Sequence, residues 1–190
     1  NEVTINIPTA GKVTMDIGLV ATNYSTRSGA VGDEKKAGTH IPATSEPLYN
    51  TSDNIPNVGI VVYNPAVSTQ KPLFVYSENV TASINNNITP DKAVGVLGAF
   101  DVSTGKFEVD WSMDSYFVDV AALASIRNND DIGAYAIVAA KNAGTIFDAP
   151  IGTLNGGQLT VETGSAIKTA LEFAAAENQH GYTMQMQAFS

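Results

Sequence analysis

Few residues in this 190-residue chain have the types and spacing that chemistry requires. Asp110 and Asp114 lie close together in an alternating segment, and Asp130 and Asp131 are adjacent. Two carboxylates on one face can act as acid and base or hold a divalent cation. Neither pair has a histidine or a third fixed ligand beside it, so a solvated acidic face is the stronger reading. His40 and His180 are far apart in polar, glycine-flanked contexts, which argues against a histidine metal cluster within one chain. Cysteine is absent, and with it any disulfide, thiolate metal site or cysteine nucleophile.

Serines are plentiful, but none occupies a G-x-S-x-G elbow, and neither histidine has a recognisable acid partner nearby. The glycines at 95 and 98, and at 156 and 157, are not followed by lysine and do not open a helix after a strand. Both read as turns rather than phosphate cradles. Asn23, Asn79 and Asn87 head N-glycosylation triplets, which matter only in a eukaryotic secretory setting. No catalytic residue, cofactor or metal is expected.

Charge narrows the partners. With 19 acids against 10 bases and a net charge of -9, nonspecific attraction to nucleic-acid phosphates is not expected. No apolar run reaches the length of a membrane-spanning helix and no charged-then-apolar leader opens the chain, so no membrane partner is expected either. The length fits one domain, residues 1–190.

The elements that must position the acids centre on residues 80–129, which read strand, loop, strand, helix. From 106 to 114 polar and apolar residues alternate without a break. Lys106, Glu108, Asp110, Ser112 and Asp114 lie on one side, and Phe107, Val109, Trp111 and Met113 on the other. That is a half-buried ribbon. Its wet face carries Glu108, Asp110 and Asp114 against Lys106, and its apolar face makes Trp111 a core residue. Phe117, Val120, Ala121 and Ala124 then follow at helical spacing, predicting a short helix over about 118–127 packed by its alanine-rich face.

Upstream, Val3, Ile5 and Ile7, then Val13, Met15, Ile17 and Leu19, alternate across a Pro8–Gly11 turn and predict a β-hairpin. Residues from about 22 to 57 are rich in Gly, Ser, Thr, Asn and Pro, with Asp33, Glu34, Lys35 and Lys36 clustered within them. So long a connection reads as a solvated loop or as an arm ordered against a neighbouring subunit. Short apolar runs at 58–63 and 73–76 and an alternating run at 80–85 are strand candidates, the last ending in a turn at Asn85, Asn86 and Asn87. Further strands are expected at 135–140, 145–147 and 159–162. At the tail, a hairpin of 168–173 with 182–188 is preferred to the helix that propensity suggests over 165–179.

Three pieces of the 80–129 stretch resemble the tail tube proteins of long-tailed bacteriophages. They are SINNN (83–87), VLGAFDVSTGKFEVDWSMDSYF (96–117) and the short helix that follows. The segment ETGSAIKTALEFAAAENQHGYTMQMQAF (162–189) is similar to that family's closing strands. The resemblance implies a mainly β fold, a two-sheet antiparallel β-sandwich with one flanking short α-helix, whose inner sheet joins a ring-wide β-barrel. It implies stacked hexameric rings forming a conduit for DNA ejection, with the tape measure protein and other tail proteins as partners. It also implies assembly in the host bacterial cytoplasm and residence in the virion. On that basis Glu108, Asp110 and Asp114 are candidates to face the lumen, and the 22–57 loop with Asp33, Glu34, Lys35 and Lys36 is the candidate inter-ring arm. The alternative is a secreted fimbrial or adhesin-type subunit polymerising by strand exchange. A hydrolase using Asp110 and Asp114 ranks third.

Overall fold

The structure, a computed structural model, describes residues 1–22, 28–31, 42, 48–55, 57–62, 72–74, 76–117, 120–140, 143–161 and 163–190. Most of the 22–57 loop, including Asp33, Glu34, Lys35 and Lys36, lies outside the described residues, as do His40 and Asn23.

The chain is mainly β. In order it forms β1 (Glu2–Ile7), β2 (Thr14–Gly18), β3 (Asn57–Val62), β4 (Pro72–Phe74), β5 (Ser77–Asn85), β6 (Thr89–Asp91) and β7 (Asp101–Ser103). It continues with β8 (Glu108–Tyr116), α1 (Val120–Asn128), β9 (Ile132–Ala140), β10 (Ala143–Thr160), β11 (Lys168–Ala175) and β12 (Gln185–Phe189). One antiparallel sheet runs β2-β1-β5-β8-β11-β10-β9-β3-β4, with β12 also beside β10, and β6 with β7 makes a second, small sheet.

The expected sandwich is thus built largely from one sheet that curls at β10. This strand is 18 residues long. Its first part pairs with β9 and β12, and its last part, from Gly152, pairs with β11. Between Ala149 and Gly152 the register slips, and the buried side changes from odd residues, Phe147 and Ala149, to an even one, Leu154. An extra residue of this kind bends a strand, and Pro150 is tolerated there because a bulge leaves an N–H unneeded. A second slip falls at Gly156 and Gly157, which have φ of 96° and 85°. The sequence places separate strands at 145–147 and 159–162. Prolines and glycines that look like stops are bulges within one continuous strand.

The core lies between the two halves. Ile5, Val80, Val109, Trp111, Met113, Leu171 and Phe173 from one half join Ile60, Ile132, Ala134, Ala136, Val138 and Phe147 from the other in one cluster. Burying each large side chain contributes roughly 1.5–3 kcal/mol.

Three expectations need correction. Phe107 does not share the buried face of Val109, Trp111 and Met113 but is 49% exposed, because β8 begins one residue after it. The helix forms, but Ala124 is exposed; Leu123 and Ile126 are the side chains that lie over Gly157. The tail does hold two strands, yet they do not pair with each other. β11 is flanked by β8 and β10, while β12 pairs with β10 through Gly144↔Phe189 to Asp148↔Gln185. Alternation identifies a strand and its two faces but not its partner.

Candidate functional site

Cross-strand register turns the acidic stripe of β8 into a sheet-wide surface. Residues directly opposite each other in neighbouring strands project to the same face. One row runs Asp16, Thr4, Ser83, Asp110, Ala174, Thr153, and the next runs Thr14, Asn6, Thr81, Ser112, Glu172, Asn155. A flanking row holds Glu2, Asn85 and Glu108; another holds Glu78, Asp114, Ala170 and Gln158. Six strands with spacings of about 4.8 Å make this face roughly 24 Å wide.

In β1, β5, β8 and β11 the outward residues alternate with the core residues just named. Hydrogen bonds knit the face laterally. Asn6 Nδ2 donates to Asp16 Oδ2 at 3.1 Å, Thr81 Oγ1 to Asn6 Oδ1 at 3.3 Å, and Ser83 Oγ to Glu2 Oε1 at 3.3 Å.

Of the residues singled out from sequence, Glu108, Asp110 and Asp114 do share one face of β8. Asp110 is exposed; Glu108 and Asp114 are half-buried. Asn87, left-handed at φ 47°, donates through Nδ2 to Lys106 O at 2.8 Å and to Glu108 Oε2 at 3.0 Å. Lys106 Nζ is 3.2 Å from Glu108 Oε1. The Asn87 hydrogen bond and then Lys106 hold the Glu108 carboxyl below the usual glutamate range, so it stays ionised at neutral pH. Glu2, Asp16, Glu78 and Glu172 are not among the residues that the sequence singles out. Each sits in a legible alternation, but only register joins them to Asp110.

Lys168 falls on the same face, at its far edge, opposite Tyr116. Its Nζ is 2.8 Å from Glu78 Oε2 and 5.2 Å from the Tyr116 ring centroid, and Tyr116 Oη donates to Glu78 Oε1. The Lys168 hydrogen bond, then that of Tyr116, lowers the Glu78 pKa against the opposing effect of burial, and Glu78 raises those of Lys168 and Tyr116. Lys106 and Lys168 are therefore each engaged by a carboxylate. Among the described residues no group of three or more His, Asp or Glu is placed to hold a metal ion. Asp130 and Asp131 lie in the connection between α1 and β9, outside the strands of this face.

What the surface can do follows from its charge. It is broad, hydrated and negative, and it repels polyanions rather than gripping them.

A family model described as phage tail tube protein matches residues 1–175, which includes every strand of this face. No curated protein matches the chain.

Proposed function

The chain belongs to the phage tail tube protein family, and from that premise we propose that its subunits close into hexameric rings that stack into a tube, with the acidic face lining the bore through which DNA is ejected. As a tail tube protein it is a structural component of the virion, not an enzyme, and it assembles with copies of itself and other tail proteins. The tape measure protein is the proposed partner among these.

The observation that carries the reading is the continuous polar face with Glu2, Asp16, Glu108, Asp110, Asp114 and Glu172, on which Lys106 and Lys168 are engaged by Glu108 and Glu78. A conduit must not hold what it passes. Free lysines would bind phosphates strongly by releasing counterions, whereas a ring of carboxylates keeps DNA hydrated and off the wall.

The two edges of the sheet differ in how open they are to a neighbouring strand. β4, at one end of the strand path, is three residues long and begins with Pro72, which blunts it against pairing. β2, at the other end, has neither lysine nor proline. Its Met15 and Ile17 lie opposite Ile5 and Val3 on the core side, yet are 49% and 61% exposed. β2 is therefore the proposed edge at which the sheet continues into a neighbouring subunit, which would cover those side chains. The 22–57 segment, with Asp33, Glu34, Lys35 and Lys36, remains the proposed arm between rings. The match to the tail tube family favours this reading over strand exchange of the fimbrial type.

Electron microscopy of the purified chain tests this. Hollow six-fold tubes or rings are expected; a thin single-stranded fibre, or a monomer at high concentration, would refute it.

A further inference from the structure

The two ends of the β1, β5, β8 and β11 strands differ in shape. At the end holding Asn85 and Glu108, the chain projects as the β6–β7 hairpin, whose tip, residues 92–100, exposes Val94 (106%), Leu97 (87%) and Phe100 (61%). This tip is built rather than loose. Gly95 and Gly98 turn it with φ of 85° and 87°, Phe100 N donates to Asp91 O at 2.9 Å, and Ala99 N donates to Thr22 O at 3.0 Å. A Cβ on Gly98 would lie 2.6 Å from that same Thr22 oxygen.

At the opposite end, where β1 finishes and β5 begins, lies an open cavity of about 420 Å³. Its lining is mixed: Ile55, Pro8 and Tyr76 give apolar patches beside the polar Thr9, Thr51, Asn57 and Asn79, and among the described residues Glu78 is the one charged lining residue. Lys92 is the one charged residue of the tip.

We propose that the tip of one subunit plugs into this cavity on a second copy of the chain in the next ring. The inference rests on the tail-tube reading and adds to it an axial contact distinct from the 22–57 arm. The occupant is a copy of this chain because the family self-assembles, and because plug and socket match: the apolar tip meets the patch of Pro8, Ile55 and Tyr76, and Lys92 meets Glu78. Glu78 already accepts from Lys168 and Tyr116, and a carboxylate has lone pairs for a further donor. Plug and socket are different surfaces at opposite ends, so the contact is heterologous. Repeated, it extends as an open stack and does not close into a dimer. It also covers apolar side chains that the subunit itself leaves in water.

The test compares assemblies of the wild-type chain with those of Val94→Asp/Leu97→Asp. Both substituted side chains are exposed, so the variant's melting midpoint should match the wild type. Under the electron microscope its ring stacks should be roughly tenfold shorter or absent, with rings retained. A second measurement uses the cysteine-free background. Leu97→Cys and Tyr76→Cys chains, mixed and treated with a short bismaleimide, should give a cross-linked dimer that neither gives alone. Variant tubes of wild-type length, or no mixed cross-link within tubes, would overturn the plug and socket while leaving the conduit reading intact. A wild-type chain that forms neither rings nor tubes would overturn both.

Discussion

On the β2-to-β11 half of the sheet, the side chains facing away from the core are mostly carboxylates, threonines, serines and asparagines, with Ala170, Ala174 and Lys168 on β11. On the β9–β3 half they include Tyr135, Ile137, Val61 and Ile146, all half-buried, with Asn57 and Asp148 as polar members. Both surfaces obey the same period of two and enclose one core. The difference shows that alternation assigns a residue to an outward face without deciding what that face meets. One face suits water and repels polyanions. The other suits contact with protein. β10 makes the division possible, because its change of parity at 149–152 lets one strand serve both halves.

The largest expected effect comes from erasing the charge difference. Asp110→Lys with Glu172→Lys should turn a repelling wall into a binding one. Assembled tubes should then retain DNA at low salt roughly 10³-fold more tightly, with affinity falling steeply as salt rises. A filter-binding titration against ionic strength measures this. Gln187→Lys, on exposed β12, should change retention little; equal retention by the two variants would break the comparison.

Next is the core that joins the halves. Trp111, 2% exposed, sits under the acidic face, and Trp111→Ala should cost about 3–5 kcal/mol in urea denaturation. Phe107, an aromatic just outside the same strand, is half in water. Phe107→Ala should therefore cost less than about 1 kcal/mol in the same measurement.

The curl itself can be strained. A Cβ on Gly152 would lie 2.3 Å from Ala174 O and 2.7 Å from Phe173 Cζ. Gly152→Ala should therefore destabilise by about 1–3 kcal/mol, read as a lower urea midpoint.

The smallest effect is in pH dependence, and its sign differs between the halves. Glu108 is lowered from 4.5 by Asn87 and Lys106, so its contribution is present above the unfolded pKa and lost as pH falls through the folded one. Burial raises Asp148 from 3.8, so there the folded state holds the proton more tightly, and stability falls as pH rises from 3.8 through the folded pKa. At neutral pH, Asp148→Asn should raise the urea midpoint and Glu108→Gln should lower it slightly; both differences should fade in acid.

The local part of this architecture is legible in the sequence. The run 106–114 locates β8 and the outward side of Glu108, Asp110 and Asp114, because a strand's periodicity needs no knowledge of its neighbours. The hairpin of β1 and β2 follows from two alternations and a Pro/Gly turn. What the sequence hides depends on long-range pairing. Glu2, Asp16 and Glu172 join Asp110 only through the register of strands far apart in the chain. β12 goes to β10 because β11 already has a strand on each side. Pro150, Gly156 and Gly157 look like strand ends because a bulge and a turn use the same residues. The β6–β7 hairpin, three residues a side, is too short to show a period.

The central claim is that the acidic half faces the bore, and a three-dimensional reconstruction of the assembled tube tests it most directly. The account predicts Asp110, Asp114 and Glu172 on the channel wall with Tyr135 and Ile137 turned away from it. A channel lined by Tyr135 and Ile137, with the acids on the outer surface, would contradict it.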